Sequence, residues 1–139
     1  MIRVGDEIPP WVMPEVDPAR MRTMAAILRD PYSVHWDAEA NAKLGLPGRV
    51  INQGPLNLGY IANMLMAWAG PSCIRRLTVS FGLPVLDGDL VTACGQVVAL
   101  SLDNNEHRAT CEIRLERDGR SVVTGTAVVC INDVASHNE

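Results

Sequence analysis

Apolar positions divide the chain into an N-terminal arm, two modest helical stretches, one strongly apolar helix and four strand-like runs. Met21, Met24, Ala25, Ile27 and Leu28 recur at helical spacing behind Asp17-Pro18, an N-cap with proline at the first helical position. Pro31 disfavours helical geometry at Asp30, so this helix ends by Arg29 and Asp30 falls at a helix end or in a loop. Asp37 caps a second, short helix over residues 38–44, which Gly45 ends. Gly54-Pro55 and Gly70-Pro71 then bracket the main helix. Within it Leu56, Leu58, Ile61, Met64, Leu65, Met66 and Trp68 point in nearly every direction. A helix apolar on most sides must be buried on most sides, so the rest of the chain has to wrap it.

Residues 77–83, 90–102, 108–117 and 121–131 supply that wrapping as strands rich in Val, Thr and Ile with alternating polar positions. Asp118-Gly119 between the last two runs predicts a hairpin. Residues 1–16 form an extended arm or first strand broken by Pro9, Pro10 and Pro14, led in by a turn at Arg3-Val4-Gly5-Asp6. Long antiparallel strands after one buried helix predict an α+β fold whose sheet curls round that helix. One domain is expected over residues 1–139, with 132–139 a frayed polar tail. No repeat, linker or low-complexity segment interrupts it.

Composition narrows the picture. The 139 residues are 47% hydrophobic and 20% charged, enough for one real core. Aromatics are only 4%, so that core is built from Val, Leu, Ile, Met and Ala. A net charge of −4 argues against nucleic acid as a partner, and the Arg75-Arg76 pair is too small to reverse this. Four cysteines at 73, 94, 111 and 130 lie without a C-x-x-C or a histidine cluster. They read as buried free thiols rather than disulfides or a zinc site, and neither metal nor cofactor is expected. With no charged-then-apolar leader and no bilayer-length apolar stretch, the expectation is a cytoplasmic protein with no membrane partner.

Two segments carry candidate chemistry. In Asp30-Pro31-Tyr32-Ser33-Val34-His35 a carboxylate and an imidazole five positions apart can grip one water. Asn52-Gln53-Gly54-Pro55 opens the main helix and offers backbone N–H groups to a developing oxyanion. Taken singly, Asp30 is a turn-forming carboxylate, His35 a histidine satisfied by a backbone carbonyl, and Gly54-Pro55 a helix start. Gly59 inside the helix marks close packing or ligand approach, and Asn57 and Asn63 need hydrogen-bond partners on so apolar a helix. Arg75-Arg76 is either a solvated strand start or a contact for phosphate groups.

The run from Asp30 to Asp37 resembles the hydratase-2 motif D-x-N-P-x-H-x-D of MaoC-like dehydratases. Val50-Ile51-Asn52-Gln53-Gly54 sits where that family has I-x-H-G, and Pro84-Val85-Leu86-Asp87-Gly88-Asp89 is similar to its P-V-x-x-G-D turn. The resemblance implies a hot-dog fold, a central helix enclosed by a curved antiparallel sheet, paired as a homodimer or a heteromer with another hot-dog chain. It implies a lyase of fatty-acid or lipid metabolism, reversibly hydrating trans-2-enoyl-CoA thioesters to (R)-3-hydroxyacyl-CoA. Asp30 would then be the general base, and His35 would orient the water and assist proton delivery. The Gly54 N–H would hold the thioester oxygen, with Gln53 and Asn52 beside it. Tyr32 and Ser33 replace the motif's Asn and Pro, and Gln53 its His. Two alternatives stay open: a partner subunit completing another chain's acyl pocket, of the kind that handles bulky or sterol-type acyl groups, and a thioesterase.

Overall fold

The structure, a computed structural model, describes residues 1–46 and 48–132; residues 133–139, most of the expected tail, lie outside the described residues. Strand β1 (Glu7–Met13) leads to α1 (Pro18–Leu28), a 3-10 turn (Ser33–His35), α2 (Ala38–Lys43) and α3 (Gly54–Ala69). Then come β2 (Ile74–Phe81), β3 (Val91–Asp103), β4 (Glu106–Arg117) and β5 (Arg120–Cys130). The strands form one antiparallel sheet in the order β1-β3-β4-β5-β2, and α3 packs against all five. This is the hot-dog arrangement.

Local chemistry explains the boundaries. Asp17 accepts from the Ala19 amide at 2.8 Å and Asp37 from the Ala40 amide at 2.9 Å, each capping its helix. Both hairpins, at Asn104-Asn105 and Asp118-Gly119, have positive φ at both central residues, the type I′ geometry that matches strand twist. The arm becomes β1, an edge strand: Pro9 and Pro10 lack N–H donors, and a register shift between Ile8 and Trp11 absorbs them. β2 starts earlier than the 77–83 run because a bulge between Ile74 and Arg76 lets the consecutive Arg75 and Arg76 both face outward. It ends at Phe81, before Gly82-Leu83-Pro84.

One face of α3 makes the core. Ile61, Met64 and Leu65 are at most 1% exposed, each burial worth about 1.5–3 kcal/mol, against Ala93, Val97, Leu115 and Val123 of the sheet. The expectation of burial on most sides holds only in part. Pro55, Asn63 and Ala67 are exposed, and Leu58, Gly59, Ala62 and Met66 half-buried, so the opposite stripe faces outward. All four cysteines are free; Cys73 and Cys111 are buried, and burial pushes the Cys111 thiol up to about 11. Among the described residues, no helix is long and apolar enough to cross a membrane.

Candidate active site

Helix α1 ends by placing Arg29 in the left-handed region (φ 52°), its N–H bonding the Ala25 and Ala26 carbonyls. The chain then turns at Asp30, whose Oδ1 accepts from the Tyr32 amide at 3.2 Å. The following 3-10 turn carries His35 back beside it. His35 Nδ1 lies 2.7 Å from the Ile51 carbonyl, and a carbonyl only accepts, so Nδ1 holds the proton and donates. Nε2 then faces Asp30 Oδ2 at 4.0 Å, with the imidazole 14% and the carboxylate 45% exposed. The turn carboxylate and the carbonyl-satisfied histidine are thus both present, and each leaves its other polar atom facing its neighbour. Tyr32 sets its ring edge-on to the imidazole at 6.0 Å, and the Trp36 indole N–H donates to the Pro31 carbonyl. A shallow hollow of about 360 Å³, lined by Ala25, Ala26, Arg29, Asp30 and Pro31, opens beside the carboxylate.

The segment that receives His35 is held on two sides. Ile51 N–H donates to the Val34 carbonyl at 2.8 Å, while Asn52 N–H donates to the Val85 carbonyl at 2.7 Å. Asn41, fully buried, donates from Nδ2 to the carbonyls of Val34 and Arg49. On the other side Asp87 Oδ1 accepts from the Val50 amide at 2.6 Å. Asp89 Oδ1 accepts from Arg49, and its Oδ2 from Arg117 and the Leu86 amide. Burial opposes ionisation of Asp89, but the Leu86 amide and the two guanidiniums prevail and hold its carboxyl below the usual range. The P-V-x-x-G-D turn therefore acts as a clamp on the loop leading into α3.

Three residues further on, α3 begins at Gly54. The N-cap Gln53 gives no side-chain cap, Pro55 has no N–H, and the Leu56 and Asn57 amides bond the Gln53 carbonyl. Among the described residues the Gly54 N–H has no acceptor, and it stands at the positive end of a 16-residue helix. The side chains beside it are already engaged. Asn52 Nδ2 donates to Asn57 Oδ1 and the Tyr60 hydroxyl, and Gln53 Nε2 to the Met21 carbonyl of α1 at 2.7 Å. Both residues are buried, and Asn52 Oδ1 and Gln53 Oε1 keep no partner among the described residues. Asn57 thus has its partner, and Asn63 is exposed to solvent. Arg75 is taken by Glu106.

So Asp30 and His35 meet, and His35 is tied to the loop that ends in Gly54. His35 Nε2 and Asp30 Oδ2, 4.0 Å apart, stand beyond the reach of a direct hydrogen bond. A single water donating one 2.8 Å bond to each would set them about 4.4 Å apart. Among the described residues, no group of three His, Cys, Asp or Glu could hold a metal ion. Asn41 and Phe81, whose ring lies against Gly54, carry no motif and escaped the sequence reading.

Comparison with known proteins places this geometry in context. The profile of the MaoC like domain matches residues 6–117. No curated protein matches the chain. Among solved structures, the (R)-hydratase of A. caviae involved in PHA biosynthesis is 31% identical, with a TM-score of 0.75 over 92% of this chain and 96% of that one. The ChsH1-ChsH2 complex of Mycobacterium tuberculosis contains a chain 24% identical, with a TM-score of 0.79 over 95% of this chain and 100% of that one. The R-hydratase PhaJ1 of Pseudomonas aeruginosa is 23% identical, with a TM-score of 0.78 over 94% and 82%.

Proposed function

The chain belongs to the MaoC-like family, and from that premise we propose that it reversibly adds water across the double bond of a trans-2-enoyl thioester, giving an (R)-3-hydroxyacyl thioester. The observation that carries the reading is the approach of His35 Nε2 and Asp30 Oδ2 at 4.0 Å, with Nδ1 committed to the Ile51 carbonyl. The relevant water donates one hydrogen to each, which aims its oxygen lone pair at the substrate's β-carbon. As the C–O bond forms, the proton facing Asp30 passes to the carboxylate and the alkene electrons move onto the thioester oxygen. The Gly54 N–H at the α3 terminus receives that charge, an effect worth about 3–4 kcal/mol where such a donor has been removed. Asp30 then returns its proton to the α-carbon on the same face, so H and OH add syn. His35, its Nδ1–H held by the Ile51 carbonyl and its Nε2 accepting from the water, orients that water, and proton delivery falls to Asp30. Dehydration is the same path reversed. No cofactor enters these steps.

The test is spectroscopic. Crotonyl-CoA and a longer enoyl-CoA are expected to lose the absorbance of the conjugated thioester without releasing free thiol. Asp30→Asn and His35→Ala are each expected to lower turnover by about 10²–10⁴-fold with the fold intact by circular dichroism. Near-normal rates in either variant would remove that residue from the mechanism. Release of thiol would point to hydrolysis instead, although α3 carries neither Asp nor Glu to serve it.

A second reading draws on the ChsH1-ChsH2 neighbour, a complex of two different chains. This chain would then complete a heteromeric hydratase for bulky acyl groups, and Gln53 at the motif's histidine position is compatible with divided labour. Activity that stays silent until a second hot-dog chain is added would select this version. Activity of the lone chain would select a self-sufficient enzyme, active as a homodimer.

A further inference from the structure

Phe81 is the only phenylalanine of the chain and the last residue of edge strand β2. The register runs Trp11, Ala93, Leu115, Val123, Phe81 across the sheet, so all five side chains share one face. Ala93, Leu115 and Val123 are at most 1% exposed, which identifies that face as the one turned to α3. Phe81 is nonetheless 56% exposed. An aromatic ring on the inward face, more than half open, borders space that the described residues leave unfilled.

The ring's other end is not free. A Cβ built on Gly54 would lie 3.0 Å from Phe81 Cζ and 3.3 Å from each Cε, so the ring tip points straight at the Gly54 backbone. The strand behind it is anchored: Phe81 pairs with Val123, and the Gly82 amide donates to the Val122 carbonyl at 2.9 Å. A side chain at Gly82 would meet that same carbonyl at 3.1 Å. The strand end is thus tied to β5, and the ring stands beside the Gly54 N–H at the start of α3.

We infer that Phe81 is a specificity-determining residue: its ring walls the approach to the Gly54 N–H and limits the breadth of the acyl group next to the double bond. The inference rests on the hydratase reading. Its tip excludes water from the oxyanion donor, where lower local dielectric strengthens the bond to developing charge. Its open face meets the acyl carbons near the double bond, so a substituent there competes with the ring for space.

The experiment compares kcat/KM for crotonyl-CoA and for 4-methylpent-2-enoyl-CoA, branched next to the alkene, in wild type, Phe81→Ala, Phe81→Leu and Phe81→Trp. The assay is run with and without a second hot-dog chain, and size-exclusion chromatography is run on each variant. The ratio of branched to straight substrate is expected to rise about 10-fold or more in Phe81→Ala, less in Phe81→Leu, and to fall in Phe81→Trp. Gly54→Ala, whose methyl would press on the ring, is expected to regain about 10-fold of its lost activity when combined with Phe81→Ala. An active wild type whose ratio moves less than about 2-fold in every variant overturns the inference and leaves the hydratase reading standing. Unchanged ratios with an altered oligomeric state make Phe81 an interface residue and overturn it equally. A wild type inert toward both substrates in either condition removes the hydratase reading, and this inference with it. If Phe81→Ala does not fold, the Leu and Trp variants carry the comparison.

Discussion

At His35 the bond from Nδ1–H to the Ile51 carbonyl settles the tautomer and the aim of the ring together. The next residue outward is Asn41, whose buried amide holds the Val34 and Arg49 carbonyls and so ties the His35 turn to the loop entering α3. Asn41→Ala would free the Arg49 carbonyl in a partly buried setting and slacken that tie. A loss of about 1–3 kcal/mol is expected from urea unfolding, with kcat falling more than KM rises. An unchanged kcat would show that the turn keeps His35 in place without it. The approach of His35 to Asp30 was legible from the motif, because a turn of five positions brings the imidazole back beside the carboxylate. Asn41 and Phe81 were not. A buried asparagine in a six-residue helix has no pattern, and Phe81 acquires meaning only when the β2–β5 register shows which face it shares.

Element placement was easier to read, because Gly-Pro, Asp-Pro and Asp-Gly pairs punctuate the chain and their backbone preferences are local. What local chemistry could not supply was how far the sheet reaches round α3. The helix is apolar on most sides, yet the five strands bury only the stripe through Asn57, Tyr60, Ile61, Met64, Leu65 and Ala69. Gly59 lies outside that stripe, and a Cβ there would meet nothing within 4 Å. Close packing among the described residues therefore does not explain this glycine. Gly59→Ala is expected to stabilise by up to about 1 kcal/mol through helix propensity and a less flexible unfolded state, raising Tm by about 2–5 °C. A lowered Tm in scanning calorimetry would mean that a partner copy closes on this flank. An unchanged Tm with raised KM would mean that the acyl chain passes along it.

Across the whole molecule two charge clusters brace opposite ends of β4. At its start Glu106 bonds Arg75 of edge strand β2 and Arg108, across the intervening β5; the Arg75 guanidinium, then Arg108, hold its carboxyl at about 2 instead of the ordinary 4.5. At its end Arg117 meets Asp89, which also grips Arg49 beneath the candidate active site, and this carboxyl too is held low. A carboxyl whose pKa is lower folded than unfolded releases protons on folding. Its contribution is therefore complete above its unfolded pKa and is lost as pH falls through the folded one. Urea midpoints are expected to fall from about pH 4.5 toward pH 2, and Glu106→Gln to flatten that slope. Because the Glu106 cluster lies at the sheet margin, kcat at neutral pH is expected to be unchanged in this variant. Asp89→Asn should flatten the same slope, but it also loosens the clamp on the loop that presents Ile51 and Gly54. A stability loss of about 1.5–3 kcal/mol at neutral pH is expected there, with a drop in kcat that Glu106→Gln does not share. Equal kinetics in the two variants would mean that the loop keeps its geometry without its charges, and that β4 braces the sheet alone.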